Sequence, residues 1–251
     1  MDTRERYNPK SFWDAKARAS ADFESAVCLN DPIANKIIDR IQKRCIRLAF
    51  QKISERMDLA GRKLLDYGCG TGRWVAFFRN YGIEYTGVDI STEMIRLASA
   101  RFQDVDFSTV ENDGIRFPPQ TFDIACSIAV IHHNQYEMQS SILRQLSYAI
   151  KPKGFLVLFE SIGPLNPGGF VEFPQPWEDW KKILENFGFI HFWSKQTRYF
   201  STQTIMNKVV GENRLPQLSN SLGYFLDPYI GSFLPSRLRT RAAMIFQKLA
   251  E

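Results

Sequence analysis

The chain has 251 residues, of which 44% are apolar, and a formal net charge of +5 at pH 7. This size suffices for one substantial hydrophobic core, so we expect a single domain with elaborated ends. No apolar run reaches the length of a membrane span, and residues 1–10 are too polar for a secretory signal, so the sequence predicts a cytoplasmic protein. The four cysteines lack the paired spacing of a zinc or redox motif and are interpreted as structural.

Residues 1–59 are predicted to form an N-terminal helical segment. In its second half, one helical face is basic and another is apolar. The basic residues are Lys36, Arg40, Lys43, Arg44 and Arg47, and the apolar residues are Ile37, Ile41, Cys45 and Leu48. We interpret the basic face as solvated, because it lacks the interleaved aromatic residues of nucleic-acid-binding surfaces.

Residues 60–196 are predicted to form the core of the domain. From Lys63 to about Phe159 they alternate short apolar runs with helical patterns, which is typical of βαβ units and a mainly parallel sheet. The predicted strands are 63–67, 83–88, 105–110, 122–129, 155–159 and 189–193. Pro152 and Gly154 mark the turn into the fifth strand, and residues 161–176, rich in Gly and Pro, are predicted to form a long loop. A cap insertion over 197–240 then precedes residues 241–251, which hold a last apolar stretch, Ala242 to Leu249.

The segment from Leu64 to Gly72 is an apolar strand that ends in an acid and three glycines before a helix. Gly68, Gly70 and Gly72 let the backbone approach a ligand where a helix N-terminus presents free N–H groups. The G-x-G-x-G spacing after Asp66 differs from the G-x-G-x-x-G of dinucleotide sites and suits a ligand without phosphate. A tight strand-to-helix turn without a ligand is the alternative.

Asp89 ends the next strand, 21 residues after Gly68. A carboxylate at this place accepts hydrogen bonds from both hydroxyls of a ribose. The alternative is that Asp89 caps the helix that begins near Ser91. Its combination with the glycine turn favours ribose binding, with Ile90 in the same site.

On these residues the chain resembles the class I, Rossmann-like methyltransferases that use S-adenosylmethionine, especially those acting on small molecules. The matching segments are Asp66 to Gly72, Gly87 to Asp89, Phe117-Pro118 with Phe122-Asp123, Ile131 to His133, and Leu146 to Phe159. The resemblance implies an α/β fold with helices on both faces of a seven-stranded sheet. Its strand order would be 3-2-1-4-5-7-6, with the last strand, Ala242 to Leu249, antiparallel.

The resemblance also implies roles for individual residues. In this family the first acid and the glycines hold the methionine part of the cofactor and the second acid holds the ribose, which assigns these roles to Asp66 and Asp89. An acid after the third strand reaches the adenine amino group; Asp113 with Asn112 is favoured, and Glu111 is the alternative. The segment from Phe12 to Arg18 resembles the leading helix that covers the cofactor, so that Trp13 or Arg18 contacts it, unless Trp13 packs in the core.

His132 and His133 lie where the fourth strand ends, beside the expected position of the transferred methyl group. Either is a candidate general base for a hydroxyl acceptor, and the alternative is a structural or cofactor-lining histidine. Glu160, at the end of the fifth strand, either faces the acceptor or caps a loop. No metal or covalent nucleophile is required, since displacement at a sulfonium releases a neutral thioether.

Aromatic residues recur in the loop after the fifth strand and in the cap insertion. Both segments would cover the carboxyl edge of the sheet, where ligands bind in open α/β folds. The candidates for acceptor contact are Phe170, Phe173, Tyr199, Phe200 and Tyr224. Such residues favour a closed apolar pocket, and packing of the cap onto the domain is the alternative for each of them.

The sequence therefore predicts an S-adenosylmethionine-dependent methyltransferase that acts on a small, largely apolar or aromatic metabolite. One alternative is a nucleic-acid methyltransferase, but the Asn-Pro-Pro-aromatic signature of that class is absent after the fourth strand, where Ile131-His132-His133-Asn134 stands. The other is a cofactor-binding protein without turnover. We expect a small-molecule acceptor, and neither nucleic acid nor a membrane span.

Overall fold

The computed structural model describes residues 7–19, 32–110, 114, 116–163, 171–199, 216–235 and 239–250. The strands are β1 (Lys63–Tyr67), β2 (Glu84–Asp89), β3 (Asp106–Thr109), β4 (Phe122–Ile128), β5 (Ile150–Ser161), β6 (Phe189–Thr197) and β7 (Arg241–Lys248). The helices are α1 (Pro9–Ala19), α2 (Pro32–Ser54), α3 (Val75–Arg79), α4 (Thr92–Arg101), α5 (Tyr136–Ala149), α6 (Trp177–Asn186) and α7 (Pro216–Ile230). A 3-10 turn spans Ile131–His133, and no helix in these parts of the chain is long and apolar enough to cross a membrane.

The seven strands form one sheet in the order β3-β2-β1-β4-β5-β7-β6. β1 pairs in parallel with β2 and β4, whereas β7 runs antiparallel to both β5 and β6. The predicted strand order and the antiparallel last strand are confirmed. Because β1, β2 and β4 are parallel, their carboxyl ends meet at one edge of the sheet, which is where ligands bind in open α/β folds.

Two hydrophobic clusters cover the two faces of the sheet. Successive residues of β1 alternate between them, with Leu64 in one cluster and Leu65 in the other. Every residue of β4 is buried, as expected for a central parallel strand that is covered on both faces. The continuous apolar runs of the sequence therefore mark strands in the middle of the sheet.

The fifth strand is longer than predicted, because it begins at Ile150 and includes the Pro152–Gly154 turn. The pairing with β4 shifts register between Phe122 and Ile124, and Lys153 there has a φ of 63°. A Cβ at Gly154 would lie 2.7 Å from the carbonyl oxygen of Asp123. Glycine therefore permits a close backbone contact inside an irregular strand, rather than a turn before it.

The interpretation of the basic face of α2 as solvated is wrong at its centre. The guanidinium of Arg40 lies 4.4 Å from the ring centroid of Tyr224, and that of Arg44 lies 4.3 Å from that of Tyr229. Both tyrosines belong to α7, which packs against α2 and forms despite the internal Pro228. Aromatic faces attract guanidinium groups, so this part of the face is an inter-helix contact.

Candidate active site

An open cavity of about 920 Å³ lies at the carboxyl ends of β1, β2 and β4. Gly70 reaches it from the turn after β1, Asp89 from the end of β2 and Ile128 from the end of β4. Trp13 of α1 and Gln42 of α2 complete its wall from the N-terminal segment.

The glycine turn after β1 is left-handed at three positions, with φ of 81° at Gly68, 55° at Gly70 and 75° at Gly72. A Cβ at Gly70 would have no atom within 4 Å, so this glycine leaves space open on the cavity side. Gly68 lines the cavity too, but a Cβ there would collide with Val130, and one at Gly72 would lie 3.1 Å from Phe102. The missing side chain of Gly70 therefore leaves room for a ligand, whereas the missing side chain of Gly72 leaves room for Phe102 to pack behind the turn.

Asp89 joins the turn to the next helix. Its Oδ2 accepts a hydrogen bond from the Gly70 N–H at 2.9 Å, and its Oδ1 accepts one from the Ser91 N–H at 2.8 Å. The cap of α4 is the Ser91 hydroxyl, which accepts from the Met94 N–H at 3.1 Å. Burial raises the pKa of Asp89, although its backbone hydrogen bonds act in the opposite direction. Asp89 and Ile90 both line the cavity.

Asp66 lies behind the glycine turn, outside the cavity wall. Its carboxylate accepts hydrogen bonds from the Tyr85 hydroxyl at 2.6 Å and the Cys126 thiol at 3.4 Å, and only 1% of the residue is exposed. Burial raises its pKa to about 6. Asp66 therefore braces β1 against β2 and β4, and its contact with the methionine part of a cofactor stays a prediction.

Arg73 is a cavity residue that the sequence reasoning missed. Its guanidinium donates to Oδ1 of Asp39 at 2.7 Å and to Oε1 of Gln42, and it lies 4.6 Å from the ring centroid of Trp74. The side chain is 12% exposed and lines the cavity. These contacts fix a positive charge beside the glycine turn. Arg73 directly follows the third glycine of the turn, and this position could have indicated from the sequence that its side chain lies beside the cavity.

Trp13 lines the cavity, and Arg18, on the same helix, does not. The Trp13 ring meets the His133 ring edge to face, with centroids 5.6 Å apart. The Arg18 guanidinium lies 3.7 Å from the carboxylate of Glu93, and the Arg18 side chain is 64% exposed. Of the two residues predicted to contact the cofactor, the structure thus brings Trp13 to the cavity.

His132 and His133 are buried beside the cavity, behind Trp13. Burial lowers the pKa of both to about 3, so both imidazoles are neutral near pH 7. Nδ1 of His133 lies 2.9 Å from the carbonyl oxygen of Val171, so it carries the proton and donates it. A base with a pKa of about 3 provides little driving force for proton abstraction, which favours a structural role for His133.

Glu160 holds the turn after β4 and does not line the cavity. Its carboxylate accepts hydrogen bonds from the backbone N–H groups of Ile131 at 3.1 Å and His132 at 3.2 Å, and it also contacts Nδ1 of His132. The residue is fully buried, and burial raises its pKa to about 7. Of the two predicted roles, the capping of a loop fits this position, although the loop follows β4 rather than β5.

The chain after β5 is tied to the same turn by buried polar contacts. Glu172 accepts a hydrogen bond from Arg241 at 2.7 Å, and Arg241 donates to the Ser161 hydroxyl at 2.6 Å. The Phe173 N–H donates to the carbonyl oxygen of His132 at 2.6 Å. The segment that follows residue 170 is therefore fixed against the turn that carries His132.

The predicted acceptor residues lie outside the cavity lining wherever the structure describes them. Phe173 packs edge to face on Tyr136, and Tyr224 lies under Arg40. Tyr199 accepts a hydrogen bond at 2.7 Å from Gln42, which lines the cavity. Tyr199 thus contacts a cavity residue without lining the cavity itself. The predicted residues that lie outside the described part of the chain are Glu111, Asn112, Asp113, Phe170 and Phe200.

A family model described as "Methyltransferase domain" matches residues 38–198, and the chain belongs to this family. It is 32% identical over 122 residues to a ubiquinone biosynthesis O-methyltransferase of Proteus mirabilis, a match that covers 46% of this chain and 48% of that protein. It is 26% identical over 151 residues to a demethylmenaquinone methyltransferase of Thermotoga maritima, a match that covers 50% of this chain and 65% of that protein. The chain thus spans less than two thirds of either relative.

Solved structures share the fold. The [4+2]-cyclase SpnF superposes with a TM-score of 0.61 at 18% identity, over 96% of this chain and 95% of that one. A methyltransferase from Methanosarcina mazei superposes with a TM-score of 0.57 at 17% identity, over 79% of this chain and 97% of that one. Together with the family match, the fold confirms the predicted class, the class I methyltransferases whose cofactor is S-adenosylmethionine.

Proposed function

We propose that this protein transfers the methyl group of S-adenosylmethionine to a small, largely apolar or aromatic metabolite. The observation that carries the proposal is the cavity, where the open side of Gly70, the carboxylate of Asp89 and the fixed guanidinium of Arg73 stand together. Apolar side chains form much of the remaining wall, among them Trp13 and Val130.

These residues fit the parts of S-adenosylmethionine. Asp89 would accept hydrogen bonds from the ribose hydroxyls, and Arg73 would pair with the carboxylate of the methionine part. Ile90 and Met94, next to Asp89, offer apolar surface to the adenine. The space beside Gly70 lets the backbone approach the ligand, since no side chain intervenes.

Bound S-adenosylmethionine supplies an electrophilic methyl group on a sulfonium. Transfer of that methyl group to a lone pair of the acceptor would leave the bond's electron pair on sulfur, so the cofactor would end as a neutral thioether held by Asp89 and Arg73. The protein's part is to align the two reactants and to exclude water, which Trp13 supports by covering the cavity from α1. Neutral His133, in contact with Trp13, helps to shape that cover.

An aromatic ring is the acceptor type that we favour. The relatives named above are called ubiquinone and demethylmenaquinone methyltransferases, and their names refer to molecules with a quinone ring. In this chain Ile128, Ala129 and Val130 form an apolar wall after β4, on the side of the sheet edge where an acceptor would lie. Flat apolar surface of this kind suits a ring better than a polar chain.

Incubation with methyl-labelled S-adenosylmethionine and fractionated extract tests the proposal. We expect label in apolar metabolites with the wild type, and markedly less with the Asp89→Ala variant when the cofactor concentration is limiting. Label in RNA or DNA would overturn the small-molecule acceptor. Calorimetry that shows binding of NAD but not of S-adenosylhomocysteine would overturn the proposed activity itself.

A further inference from the structure

One side of α7, next to the side that packs against α2, is an exposed apolar strip. We call it the outer face of α7; its residues are Leu222, Phe225, Leu226 and Tyr229, together with Phe233 just after the helix. Phe225 is 63% exposed and Phe233 is 85% exposed. The helical spacing of the first four residues puts them on one side of α7. Apolar side chains concentrated in this way mark a contact surface, unlike exposed residues that are scattered singly.

The side of α7 against α2 is already packed, so the helix cannot bury this strip by rotation. A Cβ at Gly223 would lie 3.5 Å from Cδ1 of Ile37 in α2. Asp227 is 1% exposed, and Tyr224 lies under the Arg40 guanidinium. The outer face is therefore a fixed feature of the surface.

Positive charge borders the outer face. The Arg44 guanidinium lies over Tyr229. Lys36 and Arg47 are exposed, and helical spacing puts both on the same side of α2 as Arg44. The sequence of α7 contains one acidic residue, Asp227, which is buried. A strip of Leu, Phe and Tyr beside Lys and Arg complements a bilayer with anionic headgroups, because apolar side chains enter the acyl boundary while cations pair with the headgroups.

We propose that the outer face of α7 docks on the surface of an anionic phospholipid bilayer, with Lys36 and Arg47 against the headgroups. This lipid contact goes beyond methyl transfer and does not depend on it. A Cβ at Gly231, after α7, would meet Oγ1 of Thr197 at 2.7 Å, so the C-terminal end of α7 adjoins the end of β6. The docked face thus borders the sheet edge that carries the cavity, and an apolar acceptor would reach the enzyme from the bilayer.

Cosedimentation of the full chain with lipid vesicles tests the docking. One set of vesicles contains phosphatidylcholine and phosphatidylglycerol in equal parts, and the other contains phosphatidylcholine alone. We expect the wild type to sediment with the anionic vesicles and to be released by high salt, which screens the headgroup contacts. The double variant Phe225→Ser, Phe233→Ser is expected to partition about tenfold more weakly, since two apolar side chains no longer enter the bilayer.

The matched control is Tyr148→Ser on α5, because Tyr148 is 60% exposed but lies away from α7. It is expected to sediment like the wild type, whereas the charge variant Lys36→Glu, Arg47→Glu is expected to lose the preference for anionic vesicles. If the double variant melts at a lower temperature than the wild type, Phe233→Ser alone replaces it, because Phe233 lies outside the helix.

Three results would overturn the docking. In the first, the wild type is absent from both vesicle pellets. In the second, the double variant sediments like the wild type. In the third, light scattering shows a wild-type dimer that the double variant converts to a monomer, with unchanged vesicle binding; the outer face then joins two copies of the chain. Binding of S-adenosylhomocysteine is measured separately, so that a failure of the proposed methyl transfer is not mistaken for a failure of docking.

Discussion

The backbone N–H of Gly70 donates a hydrogen bond to Oδ2 of Asp89 at 2.9 Å. The glycine turn after β1 and the carboxylate at the end of β2 are thereby joined directly. The other oxygen of Asp89 accepts from the Ser91 N–H, so the same side chain also aligns the start of α4. Asp89 is consequently both a ligand contact in the proposed site and a support for two segments of its wall.

Replacement of Asp89 by alanine should weaken binding of S-adenosylhomocysteine by about 1–3 kcal/mol, because the ribose hydroxyls lose a charged acceptor in a largely buried place. Isothermal titration calorimetry measures the change. Asp104→Ala is the control, since the Asp104 side chain is 74% exposed and pairs with Arg79 at the surface. Equal affinity of the Asp89→Ala variant and the wild type would show that the ribose does not bind there.

Replacement of Gly70 by valine should abolish measurable cofactor binding, because the new methyl groups would occupy the open space beside the turn. The left-handed backbone adds a stability cost of about 1–2 kcal/mol or more. Gly61→Val is a matched control: Gly61 also has a positive φ, of 70°, and no atom within 4 Å of an added Cβ, but it lies outside the cavity. Both variants should melt at lower temperature, and only Gly70→Val should lose the ligand. A loss of binding in Gly61→Val as well would assign the effect to stability.

Replacement of Arg73 by methionine should remove the preference for ligands that carry the amino-acid carboxylate. The comparison is between S-adenosylhomocysteine and 5′-methylthioadenosine, which lacks that part. A charged hydrogen bond of this type contributes about 1.5–3 kcal/mol, so the ratio of the two Kd values should fall by at least about tenfold. Arg79→Met, at an exposed bridge, should leave the ratio unchanged. If the ratio of the two Kd values is the same in the Arg73→Met variant as in the wild type, the carboxylate binds elsewhere.

Acidification should destabilise the fold through His133. The pKa of His133 is about 3 in the folded chain, against an ordinary 6.5. As the pH falls from 6.5 toward 3, the unfolded chain therefore binds a proton at this histidine and the folded chain does not, which favours unfolding. The variant His133→Gln keeps a donor for Val171, and its Tm should fall less than that of the wild type between pH 7 and pH 5. The comparison of the two proteins isolates this group from Glu160, whose raised pKa acts in the opposite direction. An equal fall in Tm would mean that His133 titrates normally.

The sheet was predictable from the sequence because its signals are local. The apolar run of β1 was assigned with its observed bounds, and the strand order followed from the resemblance that the glycine turn and Asp89 carry. Asp89 at the cavity was predictable for the same reason, since a residue at the end of a parallel strand faces the carboxyl edge.

The remaining site residues depend on contacts between distant parts of the chain. Arg73 is fixed by Asp39 and Gln42, which lie more than 30 positions earlier. Asp66 has the spacing of a ligand contact, but Tyr85 and Cys126 from the neighbouring strands bind its carboxylate inside the core. A local pattern shows which residue types follow a strand, whereas the direction of each side chain is decided by the neighbours that the fold supplies.

The position of β7 has a consequence for synthesis of the domain. β7 is the last of these seven strands to leave the ribosome, yet it lies between β5 and β6 and pairs with both. Until residues 241–248 emerge, β5 has an unpaired edge and β6 has no neighbour in the sheet, although the rest of the sheet has been made. Unpaired strand edges recruit other chains, so a nascent or C-terminally nicked form of this protein should depend on chaperones far more than the complete domain does.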